Sequence, residues 1–265
     1  MRSGRADSLT ARYGEWAVVA GASEGLGAAF AEQLAERGMH LVLIARRGSL
    51  LMEVAAELRG RHGVEVRCLG LDLADPSFAG VLADATAGLD LGVLIYNAAY
   101  VQAGPFLDAE EEALERVVDV NVRGPILFLR ALLAPMCDRG RGAVVLMSSL
   151  SGLQGAPHVS AYAASKAFNA ILAEGLWYEL RAHGIDVAAC LGGAMRTPGY
   201  IRSFNRDVPG MLAPEEAVRR TLDALDRGPR LVPGLVNRIS AQLMGRLLSR
   251  RTAIRLIAGN TTKIT

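Results

Sequence analysis

The sequence is poor in cysteine and aromatic residues and carries little net charge. Three cysteines occur in 265 residues, aromatic residues make up 5%, and the formal net charge is +2. Cys68, Cys137 and Cys190 are widely spaced and form no CxxC pair, which argues against a disulfide framework or a cysteine-based zinc site and favours a reducing compartment. A net charge near zero argues against a nucleic-acid-binding protein. The first residues lack the apolar run of a secretory signal, and the longest uncharged run, 143–165, is interrupted by polar residues and proline. We therefore expect a cytoplasmic protein.

Short apolar runs alternate along the chain with longer stretches of helical periodicity. Continuous apolar strands separated by helices are typical of a parallel sheet that is covered by helices on both faces. We therefore predict a single doubly wound α/β domain over residues 1–265. The strand-like runs are Trp16–Ala20, His40–Ala45, Val64–Leu69, Gly92–Tyr96, Ala143–Met147, Ile185–Leu191 and a short seventh at Leu231 and Val232. The helical patterns cover 26–37, 50–61, 76–87, 108–138 (one or two helices, with Asp108 as the N-cap), 161–183 and 214–227.

Three segments lie outside this alternation. Residues 1–14 are predicted to be a loose extension, and 198–213, which is punctuated by glycine and proline, is a candidate substrate lid. The tail, 234–265, is basic, and no acidic residue follows Asp226.

The tail places Leu235, Ile239, Leu243 and Leu247 at intervals of four residues among arginines. A helix of this kind can lie on a membrane surface. It can also be a terminal helix that packs near the lid or at a subunit interface, and we favour this second interpretation because the arginines are not confined to one face.

A glycine-rich turn follows the first strand. Gly21, Gly25 and Gly27 stand between a strand and the start of a helix, where glycines let backbone N–H groups approach a pyrophosphate at the positive end of the helix. The same glycines could also form a tight turn that binds no ligand.

The residues after the second strand are Ala45, Arg46 and Arg47. In a dinucleotide-binding fold an acid at this place binds the ribose hydroxyl of NAD, whereas arginine accepts the 2′-phosphate of NADP. The pattern favours NADP(H), with Arg46 as the better candidate, and leaves NAD(H) possible. Alternatively, both arginines are simply solvated at a strand end.

Tyr162 and Lys166 lie four residues apart on the predicted long helix and so share one face. An ammonium group close to a phenol favours the phenolate, so the pair can serve as a general acid. Ser149 ends the fifth strand at the edge where parallel sheets bind ligands. Ser148 competes with Ser149 for this role, while Ser148 or Ser151 could instead end the strand or cap a turn.

Together these residues make the sequence similar to the short-chain dehydrogenase/reductase superfamily, over roughly residues 13–232. The resemblance rests on their order and spacing: the glycine turn, Asn97–Ala98, Asn121, Ser149, Tyr162 and Lys166.

The resemblance implies a Rossmann-like sheet of about seven strands and NAD(P)(H)-linked hydride transfer, which we expect to run between the nicotinamide and a ketone, aldehyde or secondary alcohol. Tyr162 would donate the proton and Ser149 would polarise the carbonyl. Lys166 would lower the pKa of Tyr162 and hold the nicotinamide ribose, and Asn121 would order a water for proton relay. The substrate pocket is expected to be mainly apolar.

The resemblance also implies a set of cofactor-binding residues and a homodimer or homotetramer formed through the two long helical segments. Because the sequence has no HExxH motif and no paired CxxC, we predict no metal ion. Within the set, Glu24 is expected to face solvent, Asp72 to contact the adenine, and Met195 and Thr197 to hold the nicotinamide. The set is Gly21, Ser23, Glu24, Gly25, Leu26, Gly27, Arg46, Arg47, Asp72, Leu73, Asn97, Ala98, Tyr162, Lys166, Gly193, Met195 and Thr197.

The sequence departs from the family pattern at three places. Ala20 replaces a frequent threonine, Tyr96 and Ala99 replace the first Asn and the Gly of an NNAG motif, and Gly192 replaces the proline of a PG pair before Gly193. Because glycine lacks the fixed φ of proline, we expect a looser nicotinamide loop.

Two alternatives to a reductase remain open. One is a non-catalytic NADP-binding sensor or scaffold, and the other is an epimerase that returns the hydride to the same substrate.

Overall fold

A computed structural model describes residues 8–197, 200–201 and 210–261. Its centre is a seven-stranded parallel sheet with the order β3-β2-β1-β4-β5-β6-β7. This confirms the predicted Rossmann-like fold. The strands are β1 Trp16–Ala20, β2 His40–Ala45, β3 Val66–Gly70, β4 Leu91–Tyr96, β5 Gly142–Ser149, β6 Ile185–Gly192 and β7 Arg230–Leu231.

Helices connect successive strands, and the three after Leu212 complete the fold. They are α1 Leu9–Tyr13, α2 Gly25–Glu36, α3 Gly48–His62, α4 Phe78–Thr86, α5 Glu111–Val118, α6 Gly124–Arg139, α7 Ser160–Glu179, α8 Pro214–Leu222, α9 Leu235–Gln242 and α10 Arg250–Thr261.

Helices cover both faces of the sheet. Alternate residues of a strand point to opposite faces, so in β1 Ala17 and Val19 pack with α2, α3 and α8, whereas Val18 and Ala20 pack with α4, α6 and α7. All five residues of β1 are buried. Two buried faces explain why the strands appear in the sequence as continuous apolar runs rather than as alternating patterns.

The first described residues differ from the predicted loose extension. Residues 9–13 form a helix capped by Ser8, whose hydroxyl accepts a hydrogen bond from the backbone N–H of Ala11. The Tyr13 ring is buried, and its hydroxyl donates to Asp186 at 2.8 Å. The prediction was wrong for this segment because a single tyrosine that anchors a short helix leaves no periodic signal.

Two helix starts were also predicted wrongly. Asp108 lies in a 3-10 turn, Phe106–Asp108, and α5 begins three residues later at Glu111. Pro76 precedes α4, which begins at Phe78. Pro214, by contrast, occupies the first turn of α8 as predicted. Of the predicted lid, residues 198–199 and 202–209 lie outside the described residues.

The topology determines where a ligand can bind. Chain order reverses between β1 and β4, and in open parallel sheets the crevice beyond the carboxyl ends of the strands at such a point is the ligand site. The residues that follow β1, β2, β3, β4 and β5 all emerge at this edge.

Candidate active site

The turn between β1 and α2 is a closely packed backbone arch. Gly21 has φ +81°, and a Cβ there would lie 2.7 Å from the Cα of Ala98. Asn97 donates from Nδ2 to the carbonyl oxygen of Gly21 at 2.9 Å, which ties the arch to the end of β4. A Cβ on Gly27 would overlap that same carbonyl. The packing leaves the N-terminus of α2, with its unpaired N–H groups, open to the crevice.

Replacing Gly27 by alanine is expected to displace the arch and weaken cofactor binding. The new methyl group would collide with the backbone of Gly21 rather than with a flexible side chain, and overpacking of this kind costs about 1–3 kcal/mol of unfolding free energy. Thermal unfolding and a fluorescence titration with NADPH measure the two effects. Gly80→Ala is the matched control, because Gly80 lies on the exposed side of α4 with no atom near its Cβ position. This change should stabilise the protein slightly. Equal effects of the two substitutions would contradict the steric argument.

A groove with a volume of about 330 Å³ runs along the carboxyl edge of the sheet. It brings together twelve of the predicted cofactor residues from five separate parts of the sequence. They are Gly21, Ser23, Glu24, Gly25, Leu26, Arg46, Arg47, Asp72, Leu73, Asn97, Ala98 and Thr197.

The three arginines of the groove have different partners. Arg47 forms an ion pair with Glu24 at 2.9 Å and donates to the Ser23 hydroxyl at 3.2 Å. Arg116 pairs with Asp72 at 2.6 Å. Arg46 makes no ion pair or hydrogen bond with any described residue, although its charge helps to lower the pKa of Asp72. Glu24 is therefore paired rather than simply solvated, and Arg46 is the arginine that remains available to an anion.

Asp72 stays ionised in this setting. Partial burial opposes ionisation, but hydrogen bonds from Arg116 and from the backbone N–H of Ala74 outweigh it and lower the pKa of Asp72. Sequence reasoning missed Arg116, whose guanidinium carbon lies 5.7 Å from the centre of the Tyr100 ring. Arg116 is 44 residues from Asp72 in the chain, so no local pattern announces the pair.

The structure separates the roles of the adjacent serines at the end of β5. Ser148 is buried and donates from Oγ to the backbone carbonyl of Lys166 at 2.7 Å, which fixes α7 to the strand. Ser149 is only partly buried, and its Oγ accepts hydrogen bonds from Ser151 Oγ at 2.9 Å and Ser151 N at 3.2 Å. Ser148 is thus committed to packing, whereas the Ser149 hydroxyl stands beside Tyr162 with its own proton available to donate.

The contact that Lys166 makes differs from the expectation that its charge lowers the pKa of Tyr162. Its Nζ donates to the carbonyl oxygen of Met147 at 2.8 Å and lies 5.5 Å from the centre of the Tyr162 ring. Burial therefore dominates the pKa of Tyr162, which rises to about 12 despite an opposing hydrogen bond with Ser149. Burial also lowers the pKa of Lys166 to about 8, against a smaller raising effect of Cys190. At pH 7 Tyr162 keeps its proton and most Lys166 is charged.

Asn121 lies in a wide helical turn, Asp119–Arg123, that joins α5 to α6. It is fully buried, and both the oxygen and the nitrogen of its side-chain amide form hydrogen bonds. Oδ1 accepts from the N–H of Tyr100 at 2.8 Å, and Nδ2 donates to the Tyr100 carbonyl at 2.8 Å and to Ser165 Oγ at 3.0 Å. Such single wide turns inside helices are frequent at functional sites.

Tyr96, one of the departures from the family pattern, supports this same turn. Its hydroxyl donates to the carbonyl of Val120 at 2.6 Å, next to Asn121. A Cβ on Gly124 would overlap that hydroxyl, so the tyrosine and the glycine fit together. Tyr96 therefore stands where the family usually has an asparagine, and it supports the turn through its hydrogen bond to the Val120 carbonyl.

Replacing Tyr96 by phenylalanine is expected to lower the free energy of unfolding by about 1–3 kcal/mol, because the buried Val120 carbonyl loses its side-chain donor. Chemical denaturation measures the loss. Tyr178→Phe serves as control, since Tyr178 is 75% exposed on α7. A stability equal to that of the control would show that the hydroxyl does not hold the turn.

The glycines of the expected nicotinamide loop, Gly192 and Gly193, have close neighbours. A Cβ on Gly193 would lie 2.6 Å from Oδ1 of Asn237, a buried residue of α9 that donates to the carbonyl of Pro233 at 2.9 Å. Met195, which is buried, forms a bridge with Leu212. Gly193 thus makes room for α9, whereas a Cβ on Gly192 would lie 2.5 Å from Cε of Met195. The looser loop expected from the replaced proline stays a prediction.

His158 precedes Tyr162 by four residues and adopts φ +64°, a left-handed conformation that is costly for a residue with a Cβ. Its carbonyl accepts a hydrogen bond from the N–H of Gly104 at 2.8 Å. Its buried Nδ1 has no hydrogen-bond partner among the described residues. Backbone strain of this type concentrates at functional sites.

Comparisons with known proteins agree with this geometry. Residues 15–206 match the family model described as short chain dehydrogenase. A 7beta-hydroxysteroid dehydrogenase of Clostridium sardiniense is 33% identical over 230 residues, which are 86% of this chain and 88% of that protein. A very-long-chain 3-oxoacyl-CoA reductase of Podospora anserina is 35% identical over 80% of this chain and 63% of its own length.

Solved structures show the same relationship. A structure of a 7beta-hydroxysteroid dehydrogenase superposes with a TM-score of 0.88 at 30% identity, covering 94% of this chain and 99% of the other. A short-chain dehydrogenase from Sphingobium yanoikuyae in complex with NADPH superposes with a TM-score of 0.77 at 33% identity, covering 83% and 88%. The family match and these similarities agree with the groove, the glycine arch and the serine–tyrosine–lysine cluster, and the chain belongs to the short chain dehydrogenase family of nicotinamide-dependent oxidoreductases.

Proposed function

We propose that the protein interconverts a ketone or aldehyde and the corresponding alcohol with NADP(H). The observation that carries this proposal is the convergence of Ser149, Tyr162 and Lys166 at the end of β5. This strand pairs with β4, and the residues that follow β4, Asn97 and Ala98, line the groove together with the glycine arch. A protein that only bound a dinucleotide would need the groove but not a proton donor next to it.

The groove has the features that a nicotinamide dinucleotide needs. Gly21, Gly25 and the N-terminus of α2 would hold the pyrophosphate, Arg46 the 2′-phosphate, and Asp72 with Leu73 the adenine. Lys166 would hold the nicotinamide ribose, and Gly193, Met195 and Thr197 would flank the nicotinamide. The bound cofactor supplies or accepts the hydride.

The chain's own residues handle the proton. During reduction Tyr162 donates its phenolic proton to the carbonyl oxygen, and its raised pKa keeps that proton in place at pH 7. Ser149 donates a hydrogen bond to the same oxygen and so stabilises the charge that develops there. Asn121 holds the α5–α6 turn, where a water can relay a proton back to the phenolate left on Tyr162.

We infer a bulky, apolar substrate. The 7beta-hydroxysteroid dehydrogenase similarity covers nearly the whole chain, and a bulky-bulky ketone specific alcohol dehydrogenase from Comamonas testosteroni also superposes, with a TM-score of 0.75 at 28% identity. Leu153 lies in the short turn that follows Ser149, and Met195 adjoins Gly192, the partner of Ser149 in the β5–β6 pair, so both place apolar side chains near Ser149. Hydroxysteroids and their ketones are therefore the first compounds to test.

The experiment begins with fluorescence titrations of NADPH and NADH, followed by NADPH oxidation with a panel of steroidal, fatty and small ketones. Tight NADPH binding and turnover of a bulky ketone would support the proposal. Binding without turnover of any carbonyl compound or alcohol would favour a sensor or scaffold. Substrate conversion with no net change in the cofactor would favour the epimerase.

A further inference from the structure

The C-terminal segment carries an exposed apolar stripe. Its members lie on α9 and the wide turn that follows it, and they are 43–73% exposed. We call this set the tail stripe: Leu235, Val236, Ile239, Leu243 and Leu247. Leu235, Ile239, Leu243 and Leu247, together with Arg238 and Gln242, line a shallow groove on the surface. The preferred interpretation of a terminal helix packed near the lid fits one side of this segment, where Asn237 and Val236 lie close to Gly210, whereas the stripe side is exposed.

The stripe is held outward by a firm attachment on the opposite side. Asn237 of α9 is buried against Gly193. On α10, Ala253 is fully buried, and Ile257 packs against the cluster formed by Ala156, Val159 and Ala163. Arg250 donates to the carbonyl of Leu153. The segment is therefore docked on the body of the protein with its leucines turned to the outside.

The charge around the stripe has a single sign. Residues 227–265 contain eight basic residues and no acidic one, whereas the rest of the chain has more acidic than basic residues. Arg238, Arg246, Arg251 and Arg255 form no ion pair with any described residue. The stripe thus lies in a segment whose charged side chains are all basic, and Arg238 lines the same groove as its leucines.

We propose that the tail stripe docks on the surface of an anionic lipid bilayer. A bilayer interface accepts apolar side chains and anionic headgroups attract arginine, so one occupant satisfies both features. A symmetric pairing of two copies through the stripe would cover the leucines but would bring two clusters of arginines together. No helix among the described residues has the length and apolar composition needed to cross a bilayer, so the contact is peripheral. The inference is independent of the proposed reaction.

The test uses the full-length protein and flotation with two kinds of vesicle. One is pure phosphatidylcholine, and the other is an equal mixture of phosphatidylcholine and phosphatidylglycerol. The protein is expected to float with the anionic vesicles and to be released by salt, because exposed charges are screened at high ionic strength. Floating equally well with both kinds would overturn the electrostatic part of the proposal.

Matched variants separate the two contributions. Ile239→Ser/Leu243→Ser should lower the partition coefficient about tenfold or more, and Arg238→Gln/Arg246→Gln about fivefold for each charge removed. Met52→Ser on α3, at 55% exposure, and Arg130→Gln on α6 are the controls and should bind like the unmodified protein. Variants that fold, judged by circular dichroism, and still bind fully would overturn the assignment to the stripe.

Light scattering coupled to gel filtration tests the alternative that a second copy of the protein covers the tail stripe. If the unmodified protein ignores anionic vesicles and its Ile239→Ser/Leu243→Ser variant loses a subunit from the assembly, the stripe is an interface between copies and the proposal is wrong. An unchanged mass together with lost flotation would support it.

Discussion

Replacing Tyr162 by phenylalanine is expected to reduce turnover by about 10²–10⁴-fold, the range for loss of a general acid, while NADPH still binds. The phenylalanine ring keeps the packing of Tyr162 against Lys166 but has no proton to give. No described residue can take over at the same place, because Ser149 donates only a hydrogen bond and Lys166 is turned toward Met147. Steady-state turnover of a reducible ketone and NADPH fluorescence measure the two quantities.

The control for this experiment is Tyr178→Phe, which removes an exposed hydroxyl from the same helix. It should leave turnover unchanged. If Tyr162→Phe keeps more than a tenth of the original turnover, Tyr162 is not the proton donor. If binding and turnover fall together with the melting temperature, the substitution has damaged the fold, and Ser149→Ala then tests the same cluster.

The sheet and its topology were predictable because each strand is buried on both faces. Runs such as Trp16–Ala20 are too short for a typical helix and are bounded by turn residues, which is typical of strands buried on both faces. The helices between them require parallel crossovers. The glycine turn and the Tyr162–Lys166 spacing are local patterns, so their positions in the sequence already define their geometry. Most predicted cofactor residues meet in one groove for the same reason, since each follows a strand end.

The pairings that tune the site could not be predicted. Asp72 meets Arg116, and Tyr96 meets the Val120 carbonyl, across long stretches of chain. Such contacts depend on the angles at which helices cross the sheet, which no periodicity encodes. Gly124 is an example, because the need for glycine at this position becomes clear only once the structure places the Tyr96 hydroxyl beside it.

The electrostatic prediction failed for a physical reason. Placing an ammonium about 4 Å from a phenol lowers the phenol pKa, but four-residue spacing fixes only the backbone positions of Tyr162 and Lys166. The long lysine side chain reaches the Met147 carbonyl instead, and burial then raises the pKa of Tyr162. Spacing therefore predicted which residues meet, whereas burial decided their protonation.

Replacing Arg46 by alanine is expected to weaken NADPH binding about 10- to 100-fold and NADH binding very little. Charge-assisted hydrogen bonds from arginine to a phosphate are worth about 1.5–3 kcal/mol, and only NADPH carries the 2′-phosphate. Arg46 can make these bonds without breaking an existing ion pair or hydrogen bond, because it has none with any described residue. Parallel fluorescence titrations of the two cofactors measure the ratio of their dissociation constants.

Arg47→Ala is the matched comparison, and it should act differently. Arg47 pairs with Glu24 and holds Ser23 beside the glycine arch, so its removal takes a positive charge from beside the Glu24 carboxylate near the expected pyrophosphate site. Both cofactors share the pyrophosphate, and both should weaken by similar factors, with little change in their ratio. Adding Glu24→Gln to Arg47→Ala should restore most of the binding, because the carboxylate charge that repels the pyrophosphate is then gone. If Arg47→Ala changes the ratio and Arg46→Ala does not, the 2′-phosphate is bound by Arg47, which would have to release Glu24 first.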